Sequence, residues 1–186
     1  MKTLGEGGES LAVTVEVFKR AVGIFDDDTD QDAALGAYLA AAQGFVETAV
    51  RRSLSPREVA FSIDGFHWLK WWFPVAPVAA ITALVDVSNG SEVVIDPQSY
   101  YLESAFDEPR LCLRSALGGA SYRVTAQIGY EAGKCPKPLL QAVILIAKEW
   151  FDVGQSIEGF EAPVLNFGAK ALIKQNRYAR PWEFVP

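Results

Sequence analysis

The chain has one histidine, one methionine and two cysteines in 186 residues, and each scarcity removes a class of chemistry. With His67 as its sole imidazole it can build no multi-histidine metal centre, and any nucleophile triad would have to run through that one ring. His67 lies in an aromatic stretch, where a packed or rim histidine is the ordinary state, and no G-x-S-x-G elbow supplies a partner nucleophile. Cys112 and Cys135 stand outside any recognisable catalytic context and no secretory leader pattern is present, so they read as reduced, partly buried thiols. Long apolar runs are missing: the longest, AVILIA at residues 142–147, is too short to cross a bilayer and is bounded by Lys148 and Glu149. A soluble protein is expected. Positive charge is scarce as well. A net charge of −6 and a pI near 4.9 argue against an open nucleic-acid-binding face, which needs Lys and Arg to replace phosphate counterions. The GEGG at residues 5–8 lacks the spacing of a phosphate-cradling loop and precedes no strand-to-helix turn. Neither a cofactor nor a metal is expected.

What the chain does have is 50% hydrophobic residues, enough for one domain with a real core. Its organising stretch runs from Thr29 to Leu54. Leu35, Tyr38, Leu39, Ala42, Phe45, Val46 and Ala49 recur at helical spacing and share one side of a rod roughly 35 Å long at ~1.5 Å per residue. Thr29 with Asp32 three residues on suggests a capping box, and Arg51 with Arg52 suits the negative end of the helix dipole before Pro56 forbids continuation. The apolar stripe needs a partner. PKPLLQAVILIAKEWFDVG offers one, with Leu139, Leu140, Val143, Ile144, Ala147, Trp150 and Phe151 on a wide stripe, Pro138 in its first turn and Gly154 as its stop. A shorter helix is expected at residues 15–22, capped by Thr14, with Val17, Phe18 and Ala21 inward and Gly23 at its end; another follows in VLNFGAKALIKQ.

Between the two long helices the period changes. VAFSI, HWLKWWF, AITALVDV, EVVI, YYLES, RLCLR and YRVTAQIGY are short β-branched and aromatic runs divided by Gly, Pro, Asn and Asp, the pattern of antiparallel strands. Asn89-Gly90 has the composition of a type I′ hairpin. The expected fold is therefore α+β: an antiparallel bundle of about four helices with a small inserted antiparallel β element. A single domain is expected over residues 1–186, divided into a flexible tail at 1–10, helices at 11–56, the β insertion at 57–132, helices at 136–175 and a C-terminal tail at 176–186.

Two further constellations invite a function. Asp26, Asp28, Asp30 and Asp32 follow the odd-position pattern of a calcium loop, but Gln31 stands where the loop needs glycine and Ala37 where it needs a bidentate glutamate. Helix-start aspartates kept in water explain them as well. No acidic pair is singled out as a glycosidase-like couple among the 23 carboxylates. The second is HWLKWWFPVAPV. As a strand it sends His67, Leu69, Trp71 and Phe73 one way and Trp68, Lys70 and Trp72 the other, so both faces are aromatic. Either the sheet is covered on both sides within the monomer, or one face meets another protein; stacking on single-stranded nucleic acid is disfavoured by the acidic chain. Arg177, Arg180, Trp182 and Phe184 in the terminal NRYARPWEF are residue types enriched at interface anchors. A small-molecule or carbohydrate module stacking ligands on Trp68, Trp71 and Trp72 is the alternative, and a hydrolase using acidic residues is a third.

The order of these segments resembles the head-tail connector (adaptor) family of tailed phages, prophages and gene-transfer agents. The likeness runs from TVEVFKRAVGI through LGAYLAAAQGFVETAVRRSL and FPVAPVAAITALVDV to SYYLE, RVTAQIGYEAG, CPKPLLQAVILIAKEWFD and ALIKQNR, covering roughly residues 11–177. The Gly-rich lead and the QSIEGFEAP loop depart from it. The resemblance implies a structural virion protein without enzymatic activity, made in the bacterial host cytoplasm and located at the head-tail junction, with no membrane contact. It implies a ring of about a dozen copies docked on the portal protein, meeting a tail or stopper protein and passing DNA without binding it specifically. It also implies that residues 177–184 reach a neighbour or the portal. Trp68, Trp71, Trp72, Arg177, Arg180, Trp182 and Phe184 are the expected subunit or portal contacts. An acidic subunit repeated around a ring gives a lumen to which DNA should not stick.

Overall fold

Thr14 and Gly23 delimit the first helix as their chemistry requires. The computed structural model describes residues 2–3, 10–25, 27, 29–64, 69–155 and 167–180, and in it helix α1 spans Val15–Val22. The Thr14 hydroxyl accepts from the Val17 N–H, and Gly23 at φ 81° returns its own N–H to the Lys19 carbonyl. Of the three residues expected inward, Phe18 is buried, whereas Val17 is 46% exposed and Ala21 is exposed. Lys19 is buried in their place, its ammonium paired with the Asp32 carboxylate. That pair overrides the expected capping box. Helix α2 is Asp32–Val50, so Asp32 is its first residue; the Asp32 N–H bonds to the Thr29 carbonyl at 3.2 Å while its carboxylate goes to Lys19. A buried ammonium left unpaired would be far more costly than a missing cap.

Arg51 turns to φ 56° and ends α2, so Arg51 and Arg52 lie beyond the last turn instead of in it. On α2, Leu35, Leu39, Ala42, Val46 and Val50 are buried; Tyr38 and Ala49 are half-buried, and Phe45 is at the edge, 39% exposed. Gln43 is buried too, because its side-chain oxygen accepts from the Ala12 N–H (2.8 Å) and its amide donates to the Ser10 carbonyl (3.2 Å), tying down the entry to α1. Helix α3 is Lys137–Gln155 and α4 is Phe167–Asn176. α3 packs on α2 with Leu139, Ala142, Val143, Ile146, Ala147 and Phe151 buried, and edge-on ring contacts join Tyr38 to Phe151 and Phe45 to Trp150. Gly154 does not stop α3. It lies within the last turn, against the Tyr38 hydroxyl, where a Cβ would collide. By length and hydropathy α2 could cross a bilayer, but its inward side is occupied by this packing and includes buried Glu47. These four helices form one compact unit.

The second unit is β-rich and holds residues 51–130, β1 and the chain from Tyr178. Its strands are β1 Lys2–Thr3, β2 Arg57–Asp64, β3 Lys70–Trp72, β4 Val78–Asp86, β5 Val93–Val94, β6 Tyr100–Glu103, β7 Arg110–Leu113 and β8 Ser121–Ile128. All seven expected runs contain a strand. β1 was not expected; it falls in the presumed flexible lead and pairs Lys2 with Ala60 and Thr3 with Val59. The order is β1-β2-β8-β4-β5 in one sheet and β3-β7-β6 in another, with every pairing antiparallel.

The β region is therefore not a small insert. It has its own core of Val59, Phe61, Ile63, Phe73, Val78, Leu84, Leu111, Tyr122, Val124 and Ile128, built by strict alternation along β8. The connection from β4 to β5 also departs from expectation. Val85 pairs with Val94 and Asp86 with Val93, which leaves a loop longer than a two-residue turn; Gly90 has φ 74° but Asn89 does not share it. The Asp86 carboxylate organises the loop by accepting from the Ser88 N–H and hydroxyl. Gly129 has φ 101° and sits against the Ser55 carbonyl, so closely that no Cβ fits.

Candidate interaction surfaces

Register on the three-stranded sheet separates the two aromatic faces of the Trp-rich strand. Trp71 pairs with Leu111, and Leu102 with Leu111, so these side chains share the face that meets the β core. The Trp71 ring packs there on Phe73 (4.9 Å between centroids) and Phe61 (6.1 Å). Trp72 pairs with Arg110, Lys70 and Tyr101 with Cys112, and Glu103 with Arg110, which puts those six on the outer face.

That face is pre-assembled by charge. Arg110 lies over the Trp72 ring at 5.6 Å, grips Glu103 with two guanidinium nitrogens, and the Cys112 thiol donates to the same carboxylate at 3.3 Å. Arg110, then Cys112, hold Glu103 down at a pKa of about 2, while burial, then Glu103, pushes the Cys112 thiol up. Arg114 covers Tyr101 at 5.2 Å. The Trp72 indole N–H is shielded from solvent and finds no acceptor among the described residues.

The C-terminal residues that are described are tied to this unit. Tyr178 is buried, its hydroxyl donates to the Phe73 carbonyl at 3.0 Å, and burial raises its pKa. Two residues on, Arg180 lies over Trp71 at 5.7 Å. The structure thus brings Trp71 and Arg180 together, places Trp72 on the opposite face and leaves Arg177 exposed. Trp68, Trp182 and Phe184, like His67, lie outside the described residues, as do Asp26 and Asp28 of the acidic loop. A ligand platform shared by Trp71 and Trp72 is ruled out, because the strand points them apart.

Three features were missed by sequence reasoning. The first is a clamp: Arg52, whose side chain is only 12% exposed, pairs with Asp107, donates to the Tyr130 hydroxyl at 3.1 Å and lies over the Tyr178 ring at 6.0 Å. Burial works against the Arg52 charge, but Asp107 and Tyr130 outweigh it and its pKa rises. The second is what the clamp holds. Phe106 and Asp107 are consecutive non-glycine residues with left-handed backbones, φ 55° and 61°, and Phe106 is 96% exposed. For phenylalanine this conformation costs about 1–2 kcal/mol, whereas aspartate is among the residues that adopt it. The sequence hint was the polar Asp107 before Glu108-Pro109, a turn composition that the flanking strand patterns overshadow. The third is an open apolar groove of ≈ 630 Å³ on α2 and α3, lined by Ala34, Ala37, Ala41, Tyr38, Trp150, Val153 and Gly154. Four of the lining residues are small and two are aromatic.

No protein-family model and no curated protein sequence matches the chain. Solved structures do. A chain in the virion of a native gene transfer agent (GTA) particle is 26% identical, with 100% of both chains covered and a TM-score of 0.79. A chain in the neck of an empty GTA particle computed with C6 symmetry is also 26% identical, again over 100% of both chains, with a TM-score of 0.78. A chain in the neck of a native GTA particle computed with C12 symmetry is 25% identical over 100% of this chain and 98% of that one, with a TM-score of 0.75.

Proposed function

We propose that this protein is a non-enzymatic structural component of the neck of a gene-transfer-agent or phage-like particle. In this reading about a dozen copies close into a ring between the portal and the tail, and DNA passes through without specific binding. The observation that carries the proposal is full-length similarity, at TM-scores of 0.75–0.79, to a chain of a GTA virion and to chains of GTA necks computed with C6 and C12 symmetry. Two properties of the chain itself support it. A head-to-tail ring needs two different complementary patches on each subunit, and the outer face around Trp72 and the groove on α2 and α3 are distinct surfaces. The net charge of −6 suits a lumen wall that repels the DNA backbone. Arg177, Trp72 and the terminal residues Trp182 and Phe184 are proposed contacts with a neighbour or the portal, and Trp68 with them; Trp71 and Arg180 support that edge by packing on each other.

Native mass spectrometry and negative-stain electron microscopy of the full chain, alone and with portal protein, test this. A closed ring of uniform copy number is expected in at least one of the two conditions. A tight dimer inert to portal overturns the proposal.

A further inference from the structure

We propose that Phe106 is a knob that seats in the α2–α3 groove of a neighbouring copy; the inference rests on the ring reading above. Exposure alone would mean little, because single apolar residues are common on protein surfaces. Phe25 and Phe167 are 81% and 86% exposed without further sign of use. Phe106 differs in its backbone. It is 96% exposed at a left-handed position, where glycine or asparagine would sit without strain, and a largely buried arginine holds the turn through Asp107. A phenylalanine kept in a conformation that disfavours it, and aimed into solvent, is accounted for by what the ring contacts.

The groove supplies the matching shape. Four of its lining residues, Ala34, Ala37, Ala41 and Gly154, are small enough to leave room for an aromatic ring, and Tyr38 and Trp150 are residue types that pair with one. Knob and groove are different surfaces, so a copy that offers one to its neighbour keeps the other for the copy behind, as a heterologous ring interface demands. The pre-set turn limits the ordering entropy lost on docking, which favours a central anchor over a flexible one.

The test replaces Phe106 with the photo-reactive amino acid p-benzoylphenylalanine in the full chain, assembled alone or on portal from an equal mixture of isotopically heavy and light copies. Irradiated rings should yield mixed heavy-light cross-linked peptides joining position 106 to residues 34–41 or 150–154. Rings that form but cross-link elsewhere, only within one copy, or not at all overturn the knob-and-groove pairing and leave the ring reading standing. A chain that closes under neither condition overturns both. In parallel, Phe106→Gly should leave the melting temperature unchanged or raised, since glycine prefers this backbone, while weakening subunit association about thirtyfold, the loss typical of an anchor residue. Ala41→Gln, which fills the groove from an exposed position, should weaken association similarly without unfolding the chain. Undiminished association in both variants would refute the pairing.

Discussion

Glu103 shares one strand face with a guanidinium and a thiol, and that company decides how it titrates. Its pKa of about 2 lies below the ordinary 4.5, so the charged form stabilises the fold. The contribution is complete above about pH 4.5 and disappears as pH falls towards 2. Urea midpoints of wild type and Glu103→Gln should therefore differ by a constant amount at neutral pH and converge in acid; a gap that stays the same down to pH 2 would contradict the assignment. The two thiols behave oppositely to reactive cysteines. Burial, with Glu47 nearby, pushes Cys135 up to about 11, and burial raises Cys112 as well. A thiol-exchange reagent at pH 8 should label neither at a measurable rate in the native chain and both at once after denaturation. Rapid labelling of native Cys112 would contradict the burial of its side chain. That the thiols are scarce was legible from composition; that one of them donates to Glu103 was not, because the two residues meet only through the β6–β7 register.

Elements were read best where one period governs them. The 3.6-residue stripe of α2 and its partner in α3 were evident in the sequence, and Leu39→Ala in that seam should cost about 2–5 kcal/mol in chemical denaturation because Leu39 is fully buried. Phe45→Ala, at the exposed edge, should cost clearly less. Equal losses would mean the seam is misplaced. Strand runs were also legible, but their joints were not. Gly129→Ala should destabilise by at least about 2 kcal/mol, since a Cβ meets the Ser55 carbonyl and φ is 101°; a neutral substitution would disprove the close approach. Nothing local announces that contact, nor the Lys19–Asp32 pair that replaced the expected capping box, because in each case the partner is distant in sequence. The two-residue hairpin at Asn89-Gly90 failed for a local reason instead: the Asp86 carboxylate takes the Ser88 N–H and hydroxyl and shapes the loop from the strand end.

At the scale of the molecule, charge and assembly are the testable quantities. An acidic ring should leave linear double-stranded DNA unretarded in a gel-shift assay even at low salt, where counterion release favours binding most. Salt-sensitive retardation would require a basic lumen that the net charge of −6 does not suggest. The expectation of two aromatic faces was half resolved by folding: Trp71 turned inward under Arg180, and Trp72 remained outside under Arg110. Which surfaces a neighbour would use could not be read in advance, since Phe106 is one aromatic among many in the sequence and becomes distinctive only through its backbone.

Composition and periodicity by themselves determined the α+β class and the pairing of two distant helices, because these depend on residue type and local spacing. Tertiary structure alone decided how much of the chain is sheet, which face of its strand each tryptophan packs on, and where Arg52 holds a strained turn outward. Those outcomes depend on contacts between residues far apart in the chain, whose energies no local pattern encodes.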